Sequence, residues 1–185
     1  IGLFPDVGAS FFLNKMPNGC GLFLALTGAS INAADAKYCA LADYFIESQN
    51  KNELLLSLRQ VNWGDTLSLN HEKLSMTLQQ YEQNSVSKLP NSPLSNHQAQ
   101  ITALTAGDSL LSVVNNILAM ESEDIWFERA QKGLKRGSML SAHIAYRQLK
   151  QGRGLPLIDC FKMELNLAVK SGEYGEFKEG VRALL

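Results

Sequence analysis

The sequence predicts the later part of a larger α/β fold, and three observations carry that reading. From Glu47 onward apolar residues recur at helical spacing almost without a break. A single run, Tyr44-Phe45-Ile46, has the aromatic and β-branched composition of a strand. The opening run Ile1-Gly2-Leu3-Phe4-Pro5-Asp6-Val7-Gly8 is apolar and has no partner of its own kind in the chain. Residues 1–46 are therefore expected to end an α/β core and to carry a site loop, and residues 47–185 to form a helical region.

The elements follow in order. Gly8–Met16 and Gly21–Leu26 read as two short helices separated at Pro17-Asn18-Gly19, with Thr27-Gly28 ending the second. Asn32 or Ser30 can cap a third helix over Ala33–Cys39. Leu67, Leu74, Leu78 and Tyr81 keep one face of a long helix apolar. Ser85–His97, with Pro90 and Pro93 among serines and asparagines, reads as a loop. Helical patterns follow near Leu110–Met120, Asp124–Leu134 and Leu140–Leu149. Leu157, Phe161, Leu165 and Ala168 predict a further amphipathic helix started after Pro156, and Phe177, Val181 and Leu184 a final short one.

Asp6 is the residue of most interest. A carboxylate in an apolar run must find partners, because desolvation disfavours its charged form. Pro5 fixes the backbone ahead of it, and the small residues after it let a ligand approach closely. A site residue on a loop before a helix is one reading; a side-chain N-cap for the helix at Gly8–Met16 is the other, with equal weight.

Composition excludes several classes. The 17 basic and 18 acidic residues leave a net charge of -1, so no global field favours nucleic acid or anionic membranes. Cys20, Cys39 and Cys160 are too few and too scattered for a disulfide framework, which fits a reducing compartment. Apolar runs such as Leu22–Leu26 are too short to span a bilayer. The chain shows no signal peptide and begins without methionine, so a native N-terminus ahead of Ile1 is expected.

His71, His97 and His143 share no metal-ligand spacing, and Ser75 stands where a His-Glu-x-x-His motif would need its second histidine. Neither a nucleophile elbow nor a Gly-rich phosphate loop is present. No metal is expected. Trp63 and Trp126 read as packing residues. Lys132, Lys135, Arg136, Arg147, Lys150 and Arg153 suit either a phosphate site or, with more weight, a solvated helical face. Arg182 either pairs with a carboxylate or lies beside a glycine that permits close packing.

Taken together, these residues resemble the crotonase (enoyl-CoA hydratase/isomerase) superfamily, and within it the 3-hydroxyisobutyryl-CoA hydrolases. The resemblance runs through Ile1–Leu13, Phe23-Leu24-Ala25-Leu26-Thr27-Gly28, Ala34-Asp35-Ala36 and Ala40-Leu41-Ala42-Asp43. It returns in Tyr146-Arg147-Gln148-Leu149, Met163-Glu164 and Phe177-Lys178-Glu179-Gly180-Val181-Arg182-Ala183. Phe4-Pro5-Asp6-Val7-Gly8 is the discriminating piece, since hydratases resemble Pro-Gly-Ala-Gly there. Ser138-Met139, where relatives resemble Ser-Pro, is expected to affect a helix start only.

The resemblance implies a crotonase-like α/β fold of which this chain is the C-terminal part. It implies a catalytic role for Asp6 and substrate contacts at Asp6, Phe4 and Gly8. It places a partner glutamate and a glycine-rich oxyanion turn ahead of Ile1, and a segment that helps bind CoA after the final helix. The implied substrate is an acyl-CoA, with coenzyme A as part of the substrate and no separate cofactor. The implied reaction is hydrolysis of a short branched β-hydroxyacyl-CoA thioester, as in valine catabolism. The setting is cytoplasmic, or the mitochondrial matrix in a eukaryote; a homo-oligomer is compatible. An enoyl-CoA hydratase or isomerase is the alternative on the same fold, and an inactive helical packing module is the alternative of another class.

Overall fold

The computed structural model describes residues 3–185, with the backbone alone for Leu184; expectations that touch Ile1 and Gly2 lie outside the described residues. The helices are α1 (Ala9–Phe12), α2 (Cys20–Thr27), α3 (Ala33–Tyr38), α4 (Lys51–Gln60), α5 (Leu67–Ser85) and α6 (Pro93–Asn96). They continue as α7 (Gln98–Thr105), α8 (Leu110–Ala119), α9 (Ile125–Arg136), α10 (Met139–Gly152), α11 (Leu157–Glu173) and α12 (Glu176–Leu184). Two compact units result, Ile1–Ser30 with Pro93–Leu185, and Ile31–Ser92. Residue 46, the expected change of character, falls inside the second.

No strand occurs among the described residues, so the α/β expectation is corrected to helix and loop for this chain. Tyr44-Phe45-Ile46 is loop. A strand needs a neighbouring ladder to satisfy its backbone. Here the Phe45 N–H donates instead to the Glu82 carboxylate on α5, at 2.9 Å. Lys37 bonds the same oxygen, and with the Phe45 amide it holds Glu82 below the usual carboxylate range.

In this second unit Asn32, not Ser30, caps α3. Its side chain accepts from the Ala34 and Asp35 N–H groups, and buried Asp35 returns the bond to the Asn32 N–H at 3.0 Å. The Ala34-Asp35-Ala36 signature thus forms a capping box. On α5, Tyr81 is buried and its hydroxyl meets Ser57 Oγ at 2.7 Å, whereas Leu67 at the other end of the expected stripe is exposed. The expected Ser85–His97 loop is shorter than its composition suggests. Val86–Lys88 adds a helical turn and Pro93 opens α6, a first-turn position where proline loses no helical bond.

The first unit holds the larger core. Phe23 on α2 packs against Phe127 and Trp126 on α9, with ring centroids 5.5 and 5.7 Å apart. Ile101, Val113 and Ile117 from α7 and α8 are wholly buried. Each such side chain contributes about 1.5–3 kcal/mol. Trp126 is therefore a packing residue as expected; Trp63, in the other unit, is 45% exposed.

Helix α9 is capped by Asp124, whose Oδ1 accepts from Trp126 and Phe127 N–H groups at 2.7 and 3.2 Å. His97 bonds the other carboxylate oxygen at 3.1 Å. That bond first, then the amides, keep the Asp124 carboxyl below its ordinary value of 3.8 despite some burial. A carboxyl lowered on folding stabilises the protein above its unfolded pKa and loses that contribution as pH falls through the folded one. Asp124→Ala is accordingly expected to cost about 1 kcal/mol at neutral pH. The melting-temperature gap to wild type should close as pH is lowered past 3.8.

Ser138 caps α10 through its Oγ, which accepts from the Ser141 N–H at 3.2 Å, so the Ser138-Met139 departure does fall at a helix start. Ser138 already has an extended backbone, φ -69° and ψ 127°, which suits a following proline. Met139→Pro is expected to stabilise by about 0.4–1 kcal/mol through the unfolded chain. Calorimetric melting checks this.

Helix α11 reverses the expected stripe. Leu157, Phe161 and Leu165 are 43, 42 and 66% exposed, and Cys160, Glu164 and Ser171 face inward. The helix docks through hydrogen bonds made by Glu164, described below. On α12, Arg182 pairs with Glu179 through Nε and Nη2 at 2.7 and 2.5 Å, which lowers the carboxyl and raises the guanidinium pKa.

Candidate active site

The site is built on the turn between Phe4 and α1. Phe4 is buried and anchors its start, while Asp6 and Val7 stand in solvent. Val7 and Gly8 both adopt left-handed backbone, with φ of 51° and 87°. For glycine that conformation is free; for a β-branched residue it is costly, about 1–3 kcal/mol. A strained turn persists only where its surroundings hold it.

Here the holder is Glu164. From the centre of α11 its buried carboxylate accepts the Gly8 N–H at 2.7 Å, the Ser10 N–H at 2.9 Å and the Ser10 hydroxyl at 2.6 Å. These are the orphan donors of the α1 N-terminus, so a carboxylate 156 residues away caps the helix. The Asp6 side chain does not cap it; the cap residue is Gly8, and Asp6 contributes its carbonyl to the Ala9 N–H at 3.0 Å. The N-cap reading of Asp6 is thereby corrected. The Asp6 carboxylate makes no hydrogen bond or ion pair with the described residues.

Two further side chains complete the clamp. Gln148 on α10, 2% exposed, donates from Nε2 to the Pro5 carbonyl and to Ser10 Oγ, the latter at 2.8 Å. These two acceptors fix its amide orientation, and its Oε1 is buried without a hydrogen-bond partner among the described residues. Asn14 Nδ2 donates to the carbonyls of Ser10 and Leu149 at 2.8 and 2.9 Å. Gly152 allows α10 to lie this close: a Cβ there would stand 2.8 Å from the Ser10 carbonyl oxygen. Gly8 in turn meets Leu157 and Phe161, which give the turn an apolar flank.

The structure therefore brings together three stretches that were far apart in sequence. Sequence reasoning singled out Asp6, Phe4 and Gly8 but attached no role to Glu164, Gln148, Ser10 or Asn14. Phe4 stands beneath the turn as a packing residue, and Gly8 offers backbone alone. Among the described residues no group of three or more His, Cys, Asp or Glu side chains is placed to hold a metal ion. In the same residues no helix is long and apolar enough to cross a membrane.

A family model described as enoyl-CoA hydratase/isomerase matches residues 1–185. The chain belongs to that family. Among its relatives, 3-hydroxyisobutyryl-CoA hydrolase of Xenopus tropicalis is 32% identical over 190 residues, covering 100% of this chain and 46% of the relative. 3-Hydroxyisobutyryl-CoA hydrolase 1 of Arabidopsis thaliana is also 32% identical, with 100% and 48% covered. The chain thus spans about half the length of these relatives. A carnitinyl-CoA dehydratase from Mycobacterium thermoresistibile has a closely similar structure, with a TM-score of 0.80 at 23% identity over 100% of this chain and 49% of that one. The crotonase-like fold of this family member follows from that likeness.

Within this family member the superfamily signatures outside the turn have structural work. Thr27 is buried with its hydroxyl on the Phe23 carbonyl at 2.7 Å, and Gly28 ends α2 in left-handed backbone. The Tyr146–Leu149 and Met163-Glu164 signatures hold the Asp6 turn.

Proposed function

We propose that the full-length protein hydrolyses a short branched β-hydroxyacyl-CoA thioester, of the 3-hydroxyisobutyryl-CoA type, to the free acid and CoA. The observation that carries this reading is the exposed, unshared Asp6 carboxylate on a turn fixed by Glu164. The names of the relatives matched across the whole chain support the same substrate class.

In this mechanism water adds to the thioester carbonyl, the C–S bond breaks, and the departing thiolate takes a proton. Asp6 holds the substrate hydroxyl or orients the water. A glutamate preceding Ile1 either takes the proton from that water or attacks the carbonyl first, expelling the thiolate and leaving a mixed anhydride that water then cleaves to the free acid and the regenerated glutamate. Backbone amides from an earlier turn stabilise the oxyanion, which is commonly the largest single contribution. Two carboxylates close together push their pKa values apart, so that one can act as acid while the other remains charged. Leu157 and Phe161 supply an apolar wall beside Gly8. No cofactor beyond the CoA of the substrate takes part. Valine breakdown is the pathway that consumes such a thioester, in the mitochondrial matrix of a eukaryote or otherwise in the cytoplasm.

The test is thiol release by the full-length protein with 3-hydroxyisobutyryl-CoA and crotonyl-CoA. The proposal expects free CoA from the first substrate only. Consumption of the crotonyl double bond without thiol release would instead identify a hydratase.

A further inference from the structure

A concavity lies in the same unit, on the side of α10 that carries Leu149 and Lys150 rather than Gln148. It is a cleft of about 530 Å³, within the range that holds small organic ligands. Leu13, Met16, Leu22 and Leu149 line it with apolar side chains, Asn14 and Thr102 with polar ones, and Lys150 and Arg153 bring two cations to it. Neither cation has an ion-pair partner among the described residues. Lys150 Nζ sits 4.6 Å from the centre of the Tyr146 ring, and the Tyr146 hydroxyl is tied to the Asp108 carbonyl at 3.2 Å. The ammonium is thus held against Tyr146, which also lines the cleft.

Cations at a helix C-terminus offset its dipole, but that role does not account for the apolar side chains that line the cleft beside them. Two cations and several apolar side chains lining one cleft match a ligand with a single anionic head and a short hydrocarbon body. Arg153 offers a planar fork suited to a carboxylate, and Lys150 a point charge beside it. We propose that this cleft binds an aliphatic carboxylate of medium chain length. The site communicates with the Asp6 turn through Asn14, which lines the cleft and bonds both the Ser10 and Leu149 carbonyls. An occupant that presses on Leu149 acts on the residue whose hydroxyl Glu164 holds. This assignment is independent of the reaction proposed above.

The test is calorimetric titration of the full-length protein with octanoate, beside the doubly substituted Lys150→Gln, Arg153→Gln protein. Both side chains are exposed, so the double variant should melt with wild type. The expected result is one saturable site in wild type, weakened at least about tenfold in the variant, and equally weakened for 1-octanol, which lacks the charge. Octanoate binding that is unchanged in the double variant would place the ligand elsewhere and overturn the proposal. Absence of saturable octanoate binding would overturn it too, and binding of a poly-glutamate peptide in that case would mark the cleft as a surface for acidic protein segments.

Discussion

Glu164→Ala is expected to destabilise the full-length protein by about 3 kcal/mol, from the loss of charge-assisted bonds and the exposure of buried donors without a partner. For a cooperative unit of about 150–250 residues that is a fall in melting temperature of about 6–12 °C. A helix as short as α1 cannot sustain itself, and its first donors, the Gly8 and Ser10 amides, have Glu164 as their acceptor. The same change frees Val7 to leave its left-handed backbone, so turnover should fall in samples that are still folded. Glu164→Gln keeps the shape but turns an N–H group toward another N–H group, and should be nearly as damaging. Differential scanning calorimetry alongside a thiol-release assay at low temperature separates the two effects. A melting temperature within 1 °C of wild type would show that the turn is held by something else.

Asp6→Asn is expected to behave in the opposite way. The carboxylate is exposed and shares no bond with the described residues, so stability should hardly change. Loss of a positioned acid or base costs about 100- to 10,000-fold in turnover. The contrast between the two carboxylates follows from burial and partners. Glu164 is buried under three donors and serves structure, and Asp6 stands free on the turn that Glu164 fixes.

That division of labour was only half legible in the sequence. Local signals were strong where local chemistry decides. Helix starts at Asp124 and Ser138 and the end at Gly28 follow from neighbouring residues, which also narrowed the α3 cap to Asn32 or Ser30. The flanking pattern around Asp6 located the turn. The failures concern partners distant in sequence. Tyr44-Phe45-Ile46 has strand composition, yet the fate of its backbone was set by Glu82 on α5. On α11 the apolar stripe was real, but the helix docks by its polar one, because Glu164 satisfies donors 154 and 156 residues away. A lone glutamate in line with Cys160 and Ser171, on the face opposite exposed leucines, was the available clue. Helical periodicity reports which residues share a face, not which face meets the protein.

The account rests on Asp6 being free for chemistry because Glu164 holds the turn. Thiol release from 3-hydroxyisobutyryl-CoA by full-length Asp6→Asn protein, on samples whose melting temperature matches wild type, tests this most directly. The account predicts a turnover reduced by about 100-fold or more at unchanged stability. Near-normal turnover, or a loss that tracks a lowered melting temperature, would contradict it.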